Sequence, residues 1–134
     1  MDKTDWAGLA AVRLDRAKEL LGEAEDLLQK GSFKSANNRA FYAMEKALNA
    51  LLALKKMGAA THTGILKQFN ILYIRDGNGY FTHEDYQMVA DASRIRSASD
   101  YDDFYIANKE ESVRQVNHAS LLIHKVEKYM AEMI

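Results

Sequence analysis

FKSANNRAFYAMEKALNALLALKKM, residues 33–57, is the stretch that decides the fold. At ~100° per residue, Ala36, Ala40, Ala43, Ala47, Leu51 and Leu54 fall within one narrow wedge of a helix. Four alanines in that wedge let another backbone approach closely, so this segment is expected to be the central helix of a packed bundle. The opposite side carries Asn38, Tyr42, Glu45 and Asn49. Steps of four, three and four keep these residues within ~60° of one another, with Arg39 and Lys46 along one edge. Solvated faces favour Lys and Glu, whereas this stripe has a Tyr and two Asn. A plain solvated face is one reading; burial against another segment, or against a second copy of the chain, suits the composition better.

The neighbouring segments are helical too. Residues 5–29 place Leu9, Val12, Ala17, Leu20, Leu21, Ala24, Leu27 and Leu28 at the three-and-four spacing of an amphipathic helix. Lys30-Gly31-Ser32 closes it with a carboxy-terminal cap and a short turn. After a loop at 58–61, a shorter helix is expected over 62–74, with Ile65, Phe69 and Leu72 inward. Asp76-Gly77-Asn78-Gly79 is a turn. Thr82 and Asp85 then have capping-box spacing, and Phe81 and Tyr86 the spacing of a hydrophobic staple. The fourth helix is expected to end near Ile95 or Ala98, carrying Tyr86, Val89, Ala90 and Ser93 along one side. Asn108 and Glu111 start a last helix, which runs to the carboxy terminus through Val113, Val116, Ile123, Val126 and Met130. The expected fold is therefore all-α, an antiparallel up-and-down bundle of five helices, four long and one short, in a single domain over residues 1–134.

Composition agrees and excludes much. Across 134 residues, hydrophobic residues make up 48% and charged residues 28%, which suits a folded chain rather than a disordered one. There is no Pro to break a helix. There is no Cys, so disulfides, zinc–thiolate sites and Cys nucleophiles are all absent. The start, MDKTDWAGLA, has no secretory pattern, and no run is long and apolar enough to cross a bilayer; a cytoplasmic location away from membranes is the expectation. A net charge of −1 gives no overall attraction to nucleic acid, so any RNA contact must come from a local patch or one assembled across an oligomer.

The four histidines, His62, His83, His118 and His124, offer no i, i+4 pair for a helical zinc site. Neither a metal nor an organic cofactor is expected. No phosphate-loop or nucleophile-elbow pattern occurs. More promising is the charged segment 94–105, expected to interrupt the helices. Three acids and two serines stand in the seven residues 97–103, poor material for a helix interior. Arg94 and Arg96 point ~200° apart and so cannot share one task. Arg96 and Asp100 have i, i+4 spacing, and a helix-end ion pair is the simple reading. His62, by itself, reads most simply as a cap or loop residue.

Four features together resemble a known family. They are Ser35-Ala36-Asn37-Asn38-Arg39-Ala40-Phe41-Tyr42-Ala43, then Thr61-His62-Thr63-Gly64, then Phe69, and Arg96 leading to Asp100-Tyr101-Asp102. In this order, covering nearly the whole chain, they resemble the HEPN family, above all its small stand-alone bacterial and archaeal members. The resemblance implies a helical bundle that dimerises. In members that are metal-independent RNases, an Arg is followed four to six residues later by a His, and two such motifs meet across the dimer with a polar helix-two residue nearby. There an acid or base serves the ribose 2′-OH or the leaving oxygen while Arg stabilises the phosphorane. Many members are toxins encoded beside a small nucleotidyltransferase.

This chain departs from that pattern. Four residues separate Arg96 from Tyr101, and six separate Arg94 from the same Tyr101; no His lies between His83 and His118. Tyr is a poor general base near neutral pH, but an Arg–Asp–Tyr cluster can hold a phosphate edge or a nucleobase. The expected function is thus a homodimeric RNA- or nucleotide-binding component of a toxin–antitoxin-like or nucleotidyltransferase-associated system. Its site is expected at Arg96, Asp100 and Tyr101, with Asn38, Arg39, Tyr42, Glu45, His62 and Arg94 as binding candidates. The alternatives are an endoribonuclease in which His62 or Tyr101 replaces the missing His, and a non-catalytic dimeric module whose polar cluster sets register.

Overall fold

The computed structural model describes residues 4–133; residues 1–3 of the opening stretch, and residue 134, to which the last helix is expected to run, lie outside them. Five α-helices follow one another: α1 (Trp6–Gln29), α2 (Phe33–Leu54), α3 (His62–Phe69), α4 (His83–Tyr101) and α5 (Lys109–Met133). α3 runs on without a break into a π-helical turn, Asn70–Arg75. The described residues contain no strand, and the architecture is the expected all-α bundle of four long helices and one short one.

The alanine-rich helix is central. α2 packs against α1, α3, α4 and α5 alike. Its wedge residues Ala36, Ala40, Ala43, Ala47 and Leu51 are fully buried, and so are Met44, Leu48 and Leu52 beside them. α1 contributes Ala10, Leu14, Ala17, Leu20, Leu21 and Ala24 to the same core. Val12, expected inside, stands 64% exposed, and Ala10 and Leu14 take the inward positions. From α5 come Val116, Ile123, Val126 and Met130. Phe69, Tyr73, Phe81 and Tyr129 form an edge-to-face aromatic group at one end of the core. Phe81 packs among these rings, while Tyr86 stacks on His83.

The helix ends follow local chemistry. Asp5 and Thr61 each accept a hydrogen bond from the N–H of a glycine three residues on, at 2.9 and 3.0 Å. The capping box of Thr82 and Asp85 is formed, and Asp85, itself buried, also receives Lys125 Nζ of α5 at 2.7 Å. Asn108 Oδ1 accepts the Glu111 N–H at 2.8 Å. α2 ends at Leu54 rather than near Met57. Lys56 there takes a left-handed conformation (φ 57°), its N–H bonds to Ala53 O and the Met57 N–H to Leu52 O. This is the two-bond cap that usually carries Gly, as Gly31 does (φ 76°) after α1.

The largest correction concerns the charged segment. Residues 94–101 are not irregular; they are the last two turns of α4, and only 102–108 leave the helix. The polar side chains that would compete with the helical backbone are engaged elsewhere. Asn37 Nδ2 donates to Ser99 Oγ at 3.3 Å, Asn38 Nδ2 donates to Asp100, and Arg96 pairs with Asp100. With those side chains occupied by α2, tertiary packing overrides weak propensity.

Candidate functional site

Arg96 sits at the centre of the expected site. It is 8% exposed, yet its nearest acid is Asp100 on its own helix, Nη1 to Oδ2 at 3.5 Å. Around the guanidinium stand three rings: Phe41 at 5.1 Å, Tyr42 at 5.8 Å and Tyr101 at 5.9 Å from their centroids. Two of these rings come from consecutive residues of α2 and one from the last residue of α4. Aromatic faces favour a cation and tolerate burial of its flat surface. The Nε–H is buried and has no hydrogen-bond partner among the described residues. Arg96 therefore keeps donor capacity that the protein itself does not use.

One turn of α2 away, Asn38 bridges the two helices. Its Nδ2 reaches both Asp100 oxygens, at 3.3 and 3.1 Å, and its Oδ1 accepts from Arg39 Nη1 at 2.7 Å. Arg39 Nε in turn lies 3.4 Å from Glu23 of α1. Asn38, Arg39, Asp100 and Tyr101 line an open groove of about 630 Å³, together with Lys34 and Ser35. Tyr101 is 76% exposed at its edge. Phe104 and Ile106 follow on the loop after α4, 94% and 83% exposed.

Tyr42 and Glu45 continue the stripe toward α3. His62, the first residue of α3, contacts Glu45 Oε2 through Nδ1, with its ring edge-on to Phe41 at 5.2 Å and tilted against Tyr42 at 5.9 Å. A carboxylate on Nδ1 fixes the imidazole's orientation and leaves Nε2 as its other nitrogen. Asn49, at the far end of the stripe, accepts from Arg13 of α1, through its carbonyl at 3.1 Å and its side chain at 3.4 Å. The stripe is thus neither bare to solvent nor sealed. It is a half-buried seam whose members are held by α1, α3 and α4.

Of the nine sequence-selected residues, the structure gathers Arg96, Asp100, Tyr101, Asn38, Arg39 and Tyr42 into one cluster, with Glu45 and His62 adjoining it through Tyr42 and Phe41. Arg94 is not among them. It points outward, 72% exposed, with Asp91 at 3.9 Å. Arg96 is the one that turns toward α2 and its rings, and the ~200° separation of the two side chains explains why both cannot.

Sequence reading misses what lies beneath. Ser112 Oγ donates to Asn37 Oδ1 at 2.9 Å, and Asn37 donates on to Ser99, a buried polar link joining α5, α2 and α4. Phe41, the ring nearest to Arg96, belongs to the helix-two stretch that carries the resemblance but is not among the candidate site residues. A signal for Phe41 exists in the spacing: it lies between Asn37 and Glu45, four residues from each. Among the described residues, no three His, Asp or Glu side chains gather as a metal ion would require, and no helix is long and apolar enough to cross a membrane.

Comparison with known proteins shows what the chain as a whole is similar to. A Methanocaldococcus jannaschii protein named "Putative toxin MJ0142" is 26% identical over 87% of this chain and 78% of its own length. A second from the same organism, "Putative toxin MJ0605", is 24% identical over 90% of this chain and 88% of its own. A UPF0332 protein of Thermotoga maritima is 37% identical over a shorter stretch, 46% of this chain and 47% of its own. The crystal structure of TT1696 from Thermus thermophilus superposes with a TM-score of 0.74 at 20% identity, covering 89% of this chain and 96% of that one, and so shares the fold. Residues 10–129 match the family described as HEPN domain, which takes in α2, Arg96 and all but the ends of α1 and α5. The chain belongs to the HEPN domain family.

Proposed function

We propose that this protein binds RNA or a nucleotide phosphate at the Arg96 cluster, as the toxin-like component of a toxin–antitoxin or nucleotidyltransferase-associated system. Arg96 carries the reading. A buried guanidinium flanked by three rings, its ion-pair partner Asp100 and the ring of Tyr101 lining an open groove with Asn38, Arg39 and Lys34, supports recognition of a phosphate beside an unstacked base. The names of the Methanocaldococcus relatives support the toxin-like role. The protein acts as a homodimer in this reading, with the exposed Tyr101, Phe104 and Ile106 near the contact. Tight binding of single-stranded RNA that is lost in Arg96→Ala and reduced in Tyr101→Phe supports it; binding equal in all three proteins rejects it.

A specific observation favours a second reading, a metal-independent ribonuclease. The Glu45–His62 contact gives an oriented imidazole next to the rings that hold Arg96, and it supplies the proton-transfer group that Tyr101 does not. RNA incubated with pure protein in the presence of chelator tests this. Cleavage abolished by both Arg96→Ala and His62→Ala supports the ribonuclease; cleavage that survives either substitution excludes this site as its source. A third reading, a register-setting dimer module, requires that the wild type bind no RNA or nucleotide and that Arg96→Ala dissociate the dimer, which light scattering measures.

A further inference from the structure

A cavity of about 220 Å³ lies between α2, α3 and α4, and Phe41, the ring nearest the Arg96 guanidinium, forms part of its wall. Its floor is apolar and buried: Phe41, Leu48, Ile65 and Val89. Polar groups stand around it: Glu45 and Asn70 offer acceptors, and His62, Thr63, Lys67 and Ser93 complete the polar lining. The Glu45 side chain is only 17% exposed, and its hydrogen-bonding contact is His62 through Oε2. Asn70 is the first residue of the π-helical turn, a local widening of helices that recurs at functional sites.

Resting on the reading that the Arg96 cluster holds a nucleotide phosphate, we propose that this cavity is a guanine subsite in which Glu45 reads the base. Three arguments converge. The volume exceeds the roughly 150 Å³ that accommodates a single benzene ring, leaving room for a larger ring system such as a bicyclic base. An apolar floor with an aromatic wall suits a flat heterocycle, leaving sugar and phosphate outside. The shielded carboxylate then selects among bases. Guanine presents two adjacent N–H donors, N1–H and the 2-amino group, to a carboxylate. Adenine presents an amino group next to an acceptor nitrogen, which repels it, and cytosine is smaller and offers only its amino group. Phe41, shared between the cavity wall and the Arg96 guanidinium, sets base and phosphate one ring apart. The guanine can belong to a free nucleotide or to an unpaired residue of RNA, since both present the same edge.

Calorimetric titration of the full-length protein with GMP, IMP, AMP and CMP tests the subsite, alongside anisotropy of RNA 12-mers with and without one central G. GMP is expected to bind about tenfold or more tighter than IMP, which lacks only the 2-amino group, and Glu45→Gln to remove that preference. A preference for the G-containing 12-mer without GMP binding assigns the subsite to RNA; GMP binding without a 12-mer preference assigns it to free nucleotide. Ser93→Leu, which fills the cavity from its rim, is expected to abolish the guanine preference while leaving Arg96-dependent RNA binding. It keeps the test decisive should Glu45→Gln fail to fold. RNA binding that depends on Arg96, with no base preference among the 12-mers and no GMP preference among the mononucleotides, overturns the guanine subsite and leaves the Arg96 reading intact. A wild type that binds neither nucleotides nor RNA overturns both.

Discussion

A buried arginine with an unused N–H is an unusual thing for a stable core to keep. Desolvating a guanidinium is costly, and a lone partner at 3.5 Å on the same helix offsets little of that. If Arg96 is held for a ligand, replacing it with an apolar side chain of similar length should cost the fold almost nothing. Asp100, left behind by Arg96→Met, is partly exposed and still bonded to Asn38, so this exchange is expected to change unfolding stability by no more than about 1 kcal/mol, read from urea denaturation. A loss above ~3 kcal/mol would instead make Arg96 a structural strut. At this scale the sequence is informative: spacing and residue type single out Arg96, Asp100 and Asn38, and they do meet. What it does not supply is the choice between Arg94 and Arg96, which depends on which side of α4 faces α2.

The helix ends show how much local chemistry decides, and where it stays hidden. Gly31 and Lys56 occupy the same left-handed position after α1 and α2, but only the glycine is readable as a cap. A lysine there bears the Cβ strain of that conformation. Lys56→Gly should stabilise the protein by about 1 kcal/mol, and Gly31→Ala should destabilise it by a similar amount, both measurable as shifts in the thermal midpoint. Among the described residues other than its chain neighbours, no heavy atom lies within 4 Å of where a Gly31 Cβ would stand, so its cost would be purely conformational. At the same end of α2, the Leu51 carbonyl, in the last turn, accepts the Tyr73 hydroxyl. Burial pushes the Tyr73 phenol far above its ordinary range, in keeping with a neutral donor. Tyr73→Phe is expected to cost about 1–2 kcal/mol in the same denaturation assay. Neither this bond nor the π-helical turn that carries Tyr73 has a sequence signature, because both depend on how α3 is laid across α2. The helical end of α4 is misread from sequence for a related reason: Ser99 and Asp100 are poor helix residues alone and good ones once Asn37 and Asn38 hold them.

Across the whole molecule, the five-helix layout is legible because α2 is patterned so strongly that its neighbours have few places to go. The cavity beneath His62 is not, since its walls come from three separate helices. Stability should also carry a pH signature. His118, on α5, has its pKa lowered below the ordinary value, first by burial and then by nearby Arg114, with Asp91 of α4 opposing. The unfolded chain then binds more protons than the folded one as pH falls through ~6.5, so stability should decline on acidification through that value and level off below the folded pKa. His118→Gln is expected to flatten that part of the profile in pH-dependent thermal melts.

The central claim, that Arg96 is a phosphate-holding residue, is tested most directly by the salt dependence of RNA binding. Anisotropy of a labelled single-stranded RNA, titrated at several salt concentrations, gives the slope of log affinity against log salt. Losing one phosphate contact should make that slope shallower by about 0.7 in Arg96→Ala, together with weaker binding at every salt concentration. An unchanged slope and affinity would contradict the claim.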